Sequence, residues 1–136
     1  MKESEEKLNK RHIKPTAMRD LVLKVLTAQK SAISLSELEN KFEKADRVTL
    51  FRTLKTFEVN KLIHSIDDGS GSIKYALCVD NCMCNPEDLH VHFKCKNCNE
   101  TYCLNDIPVP IVKLPAGFIL DGINMVVKGT CPNCKK

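Results

Sequence analysis

From Met18 onward the apolar residues Met18, Leu21, Val22, Val25 and Leu26 recur at intervals of three and four, the spacing of one face of a helix. Thr16, following Pro15, stands where an N-cap would open it. Ser34-Leu35-Ser36-Glu37 fits a capping box, with Leu35, Leu38 and Phe42 as the buried stripe of a second helix. A third helix is predicted from about Asp46, over RVTLFRTLKTFEV, with Leu50, Leu54 and Phe57 falling together on its inner side. Arg52 and Lys55 then point outward, flanked by Thr49 and Thr56, with Phe51 and Arg47 at the edge. The pattern changes after residue 61. LIHSI and SIKYAL are short β-rich runs with partial alternation, split by the flexible turn DDGSGS. Three helices and a hairpin predict a winged helix-turn-helix over residues 1–77, the hairpin being the wing.

Residues 78–89, CVDNCMCNPEDL, show no periodicity, contain Asn-Pro and read as a hinge linker, although three cysteines are unusual in a passive tether. From residue 90 the pattern becomes that of a strand again. In HVHFKC, side chains two apart share a face, so His90 and His92 lie together while Val91, Phe93 and Cys95 face the other way. TYCLN is a further strand, and residues 90–136 form the second predicted domain, small and zinc-stabilised. The fold class expected is α+β.

Charge sharpens the division. Residues 1–66 carry 14 Lys+Arg against 9 Asp+Glu, residues 67–136 carry 7 against 8, and all the arginines (Arg11, Arg19, Arg47, Arg52) fall in the first part. A basic module beside a neutral one suggests a polyanion-binding surface, against the plainer reading of a solvated lysine-rich face. The outward face of the third helix suits a DNA major groove. Arg52 can read guanine bidentately, Lys55 and Thr49 can bind phosphate, and Phe51 can lie against a thymine methyl. Lys14, Arg19 and the wing's Lys74 are further candidate phosphate contacts.

Eight cysteines in 136 residues would suit a disulfide scaffold in a secreted chain, but the charged start MKESEEKLNKRH does not read as a signal peptide. No apolar run reaches membrane-spanning length. A cytoplasmic location with reduced thiols, and hence metal ligation, is the expectation. Cys95-Lys96-Asn97-Cys98 and Cys131-Pro132-Asn133-Cys134 are two CxxC knuckles whose four thiolates would close a tetrahedral structural zinc site. A redox CxxC normally opens a helix after a strand, which the duplicated knuckle does not suggest. Because the imidazoles and knuckle thiolates face opposite ways, a second site is expected at Cys84, His90, His92 and Cys103, with Cys78, Cys82, Asp67 and Glu87 in reserve. Its sulfur and nitrogen donors favour zinc over oxygen-seeking metals such as manganese.

Taken together, Thr49-Leu50-Phe51-Arg52-Thr53-Leu54, the His90-x-His92-x-x-Cys95-x-x-Cys98 run and the closing Cys131-x-x-Cys134 resemble the ferric uptake regulator (Fur) family over residues 14–134. The resemblance implies a homodimer with an N-terminal winged helix and a C-terminal α/β dimerisation domain. It also implies a regulatory metal site near the hinge, a structural zinc, and repression of promoters bearing inverted repeats. The chain departs from the family pattern at several places. Phe51 replaces a DNA-contacting tyrosine, and Leu89 and Val91 stand where a histidine and an aspartate are usual. No histidine precedes the capping box, near Ile33, so the winged helix is not expected to contribute its customary imidazole. Cys84 and Cys103 replace carboxylates, which resembles the zinc-uptake branch. NDIPVPIVKLPAGF is broken by proline where the family has a longer helix, leaving at most a turn.

The function expected is metal-responsive repression, with zinc at the hinge setting the dimer's two recognition helices for double-stranded DNA. A thiol- or peroxide-sensing regulator is the alternative, given Cys78, Cys82 and Cys84 together. A winged helix used only for protein contacts is a lesser one. A zinc hydrolase or deaminase is disfavoured, since Glu87 and Glu100 lie in no HxE or HExxH setting. Neither a membrane nor a small organic substrate is implied.

Overall fold

A computed structural model describes residues 2–78 and 90–134. Its elements run α1 (Lys2–Lys10), α2 (Ala17–Ala28), β1 (Ile33–Ser34), α3 (Leu35–Glu39), α4 (Arg47–Val59), β2 (Ile63–Asp67) and β3 (Ile73–Leu77), then β4 (His90–Cys95), β5 (Thr101–Pro108) and β6 (Val126–Gly129). The first seven elements make a winged helix and the last three a separate sheet.

Local signals open the helices as the sequence implies. Thr16 Oγ1 accepts the Arg19 N–H at 3.2 Å at the start of α2. Ser34 and Glu37 form a reciprocal capping box on α3. On α4, Leu50, Leu54 and Phe57 are fully buried, while Arg52 and Lys55 face solvent. With Val22, Leu23, Leu26 and Leu38 they build one apolar core beneath the wing. The α2 stripe differs by one residue from expectation: Leu21 is exposed and Leu23 is buried instead. Helix α1 was not foreseen. It is nearly all polar, so no periodicity marks it, yet Leu8 and the following Ile13 anchor it in the core.

The wing is three-stranded, in the order β1-β3-β2, all antiparallel. The two-residue β1 is too short to leave a pattern in the sequence. Gly69, with φ 84°, takes the left-handed backbone that the β2–β3 turn requires. The second sheet has order β5-β4-β6, with β4 antiparallel to β5 and parallel to β6. Gly129 permits the parallel pairing, since a Cβ there would sit 3.2 Å from the Phe93 ring. Residues 109–125, after β5, form no helix, in keeping with their prolines.

The winged helix and the second sheet touch directly. The Ala32 N–H donates to the Thr101 carbonyl at 2.7 Å, and Asn124 Nδ2 donates to the Asp67 carbonyl at 3.0 Å. The Ser31 hydroxyl bonds to the Glu100 carboxylate. These contacts bring β2 alongside β4 and β5, which positions the site described next.

Candidate metal centre

Two groups of potential ligands are assembled among the described residues, and they are separate. The first lies within the second sheet. The turn after β4 carries Cys95 and Cys98, and the turn after β6 carries Cys131 and Cys134, because parallel pairing sets the ends of β4 and β6 side by side. Asn99, at φ 63°, closes the first knuckle, and the Cys131 N–H points at Cys95 Sγ at 3.4 Å. N–H groups of Cys98, Cys131 and Asn97 aimed at its sulfur hold the Cys95 thiol down to about 6 despite burial. Cys134 is pushed up to about 12, chiefly by the Cys131 sulfur beside it, with burial adding to the effect. Four crowded sulfurs that cannot all ionise together are the donor set that a cation would neutralise. Their spacing agrees. Cys98 and Cys131 sulfurs are 3.8 Å apart, and a tetrahedron with zinc–sulfur arms of about 2.3 Å has an edge of about 3.8 Å.

The second group joins His90 and His92 of β4, Cys103 of β5 and His64 of β2. Alternation along β4 puts both its imidazoles on one face, their ring centres 5.1 Å apart, and pairing of His92 with Cys103 sets the thiol beside them. His64 reaches across from the wing. Its Nε2 lies 3.3 Å from His92 Nε2 and 3.6 Å from Cys103 Sγ. With arms of about 2.0–2.1 Å to nitrogen and about 2.3 Å to sulfur, tetrahedral edges are about 3.3 and 3.5 Å. Burial, then the neighbouring imidazoles, hold His64 down to about 4, and burial with His90 does the same to His92. Both rings are therefore neutral near pH 7, with a lone pair to offer. Burial pushes the Cys103 thiol up to about 11. The donors thus fit a borderline-soft divalent ion, and among the described residues no carboxylate joins them.

His64 corrects the expectation that the winged helix supplies no imidazole. The position before the capping box carries no histidine, whereas this candidate ligand stands on the wing, in LIHSI. A strand histidine has no spacing signal of its own; only a partner pattern elsewhere could have flagged it. Of the other candidates, Cys82, Cys84 and Glu87 lie outside the described residues. Cys78 stands behind the site, with Sγ 3.3 Å from His64 Nδ1. Asp67 instead accepts the Gly69 N–H at 3.2 Å, in the wing turn.

The candidate DNA contacts are spread over α2 and α4. Arg19, Arg52, Thr49 and Thr56 line a cleft of ≈ 260 Å³ between the two helices. Arg19 also donates to the Lys14 carbonyl at 2.9 Å, and Lys14 is exposed. Phe51 is 42% exposed, with Lys55 Nζ 5.4 Å from its ring centre and 3.3 Å from Glu58. Lys74, expected as an exposed candidate for phosphate contact, does not face solvent. It is buried, 3.7 Å from the Asp68 carboxylate, because that buried anion needs cations around it.

Solved structures share this architecture. A zinc uptake regulator complexed with zinc and DNA matches with TM-score 0.68 and 19% identity, covering 98% of this chain and 91% of that one. The structure described as holo XcZur matches with TM-score 0.67 and 17% identity, covering 98% and 94%. The Vibrio cholerae ferric uptake regulator matches with TM-score 0.63 and 19% identity, covering 93% and 98%. No curated protein matches by sequence. At such identities the likeness establishes the fold, a winged helix followed by the second sheet. Residues 10–112 match the model of the ferric uptake regulator family, most of the chain, and the protein belongs to that family.

Proposed function

We propose that the protein is a metal-responsive, DNA-binding transcriptional repressor that acts as a homodimer. In this reading zinc at Cys95, Cys98, Cys131 and Cys134 is structural, and zinc at His64, His90, His92 and Cys103 is the signal. One observation carries it: an imidazole from the wing gathers with three donors of the second sheet within 4.8 Å of one another, and its contacts to His92 and Cys103 match the edges of a tetrahedral zinc shell. An ion there would bind the docked arrangement better than the open one, and so fix the winged helix (residues 1–77) against residues 90–136 across the hinge at 78–89. In a dimer that sets the separation of two α4 helices, which must enter major grooves on one face of an inverted-repeat operator. A differential affinity of about a hundredfold corresponds to about 2.7 kcal/mol of coupling, and operator DNA would tighten zinc by the same factor.

The dimer is supported by exposed apolar side chains concentrated in one part of the second sheet's chain: Ile107, Ile111, Val112, Phe118, Ile119 and Val127. DNA binding is supported by the exposed Arg52, Thr49 and Phe51 on α4 and by the zinc- and DNA-bound relative. A peroxide-sensing role at the second site is less well supported, because a thiol held up to about 11 is a poor nucleophile at neutral pH. The deciding experiment is metal content and operator binding of the protein and of the His90→Ala/His92→Ala variant. Two zinc ions per chain should fall to one, with DNA binding lost and the fold kept. Unchanged metal content would remove the sensor reading.

A further inference from the structure

A second junction between the winged helix and the second sheet contains none of the metal ligands. Asp68, the residue just after β2, is 1% exposed. Its Oδ2 accepts the Thr101 hydroxyl at 2.6 Å and Lys94 Nζ at 3.4 Å, with Lys74 Nζ at 3.7 Å. Its Oδ1 accepts the Ser70 N–H at 3.0 Å. Thr101, the first residue of β5, is 0% exposed, and its carbonyl accepts the Ala32 N–H. Lys74 also approaches Glu37 at 3.8 Å, the residue that closes the capping box of α3. A continuous polar chain therefore runs from the α3 cap through Lys74 and Asp68 to Thr101 and back to Ala32.

The position of this chain matters as much as its bonds. Asp68 follows His64 by four residues along the β2 direction, and Thr101 precedes Cys103 by two along β5. The Asp68–Thr101 contact and the His64–Cys103 contact join the same two stretches of chain, four residues apart on one and two on the other. Burial disfavours the Asp68 carboxylate, but hydrogen bonds from Ser70 and Thr101 and the Lys74 charge outweigh it and hold the group well below the ordinary carboxylate range. The carboxylate is thus ionised, and it gains the Thr101 hydroxyl and the Lys94 ammonium only when both parts are docked.

We propose that Asp68 and Thr101 are positioning residues, a metal-independent clasp that docks the wing on the second sheet and so holds His64 within reach of His90, His92 and Cys103. This rests on the metal reading of that group. When only the docked fraction of a protein can bind, apparent affinity scales with that fraction. The clasp therefore sets how much free metal is needed to fill the bridging site, without touching the ion. The Cys95/Cys98/Cys131/Cys134 group lies wholly within the second sheet and gains nothing from it.

The test uses the full-length protein and its Thr101→Val, Thr101→Ser and Asp68→Asn variants, with the tetracysteine group loaded with zinc. Two quantities are read: affinity for a second equivalent of Zn²⁺ against a competing chelator, and hydrogen exchange of the Ala32 amide by NMR before that equivalent is added. Thr101→Val and Asp68→Asn should weaken the second equivalent by about tenfold or more and abolish Ala32 protection, leaving the first equivalent unchanged. Thr101→Ser, which restores the hydroxyl, should return both to wild-type values, as a general packing defect would not. Lys94→Met, which spares the Asp68–Thr101 bond, should fall between. Ala32 protection unchanged in both Thr101→Val and Asp68→Asn overturns the clasp. A wild-type protein that takes up only one equivalent defeats the metal reading instead, and the Ala32 exchange still decides whether the clasp exists.

Discussion

The two ligand groups use similar chemistry in opposite topologies. The tetracysteine group ties together turns of a single sheet, and its members come as two local pairs. The other takes one imidazole from the wing and three potential ligands from the second sheet. An ion in the first would be part of the fold, because a small sheet with few buried side chains needs it. An ion in the second would be part of an equilibrium between arrangements. Which elements a ligand set spans, more than which atoms it offers, separates a structural ion from a signal.

That contrast is most severely challenged at the tetracysteine group. Cys95→Ser should cost both metal equivalents and the second sheet itself, since structural zinc commonly contributes about 10–16 kcal/mol of apparent binding energy. Circular dichroism and metal analysis would show it; an intact sheet without metal would erase the distinction. His64→Ala should do much less to the fold. It should abolish the second equivalent, keep the first, and weaken operator binding by about a hundredfold at limiting zinc. If the first equivalent were lost too, the groups would not be independent.

Smaller effects separate the groups by their protons. His64 and His92 lie near 4 when docked and near their ordinary 6.5 when exposed. For bases whose value is depressed in the docked state, docking of the metal-free protein should weaken as pH falls from 6.5 towards 4 and level off below, where both states are protonated. Ala32 amide protection would follow that curve, and a flat response over this range would contradict the assigned burial. Smallest is the proton count. Filling the bridging site near pH 7.5 should release about one proton, from Cys103 with its thiol near 11, since the neutral imidazoles release none. Calorimetry in buffers of different ionisation enthalpy measures it, and the tetracysteine group should release more.

What could be read from the sequence follows from the range of the signals. Helices α2 and α4 were legible because Val22, Leu26, Leu50, Leu54 and Phe57 repeat within a few residues. The knuckles were legible because CxxC is itself a geometry. His90, His92 and Cys103 were legible as a strand face and a neighbouring strand. His64 was not, since its role depends on docking between parts of the chain, which no local pattern encodes. Lys74 failed for a related reason. A lysine in a wing reads as exposed until Asp68, Lys94 and Thr101 are seen to converge beside it. Helix α1 escaped because a single leucine, Leu8, holds it.

The inward turn of Lys74 leaves the wing tip with Asp67, two glycines and serines and no outward cation of its own; the ammonium against Gly69, Lys128 Nζ, is supplied by β6. Such a tip has little electrostatic purchase of its own on a minor-groove edge, so most of the attraction to the duplex would fall to Arg19, Arg52 and their neighbours on α2 and α4. Each counterion-releasing contact steepens the dependence of binding on salt. A grip confined to helices would therefore be short along the DNA axis and comparatively tolerant of ionic strength. Discrimination among operators would then rest on the groove-facing side chains of one helix per subunit.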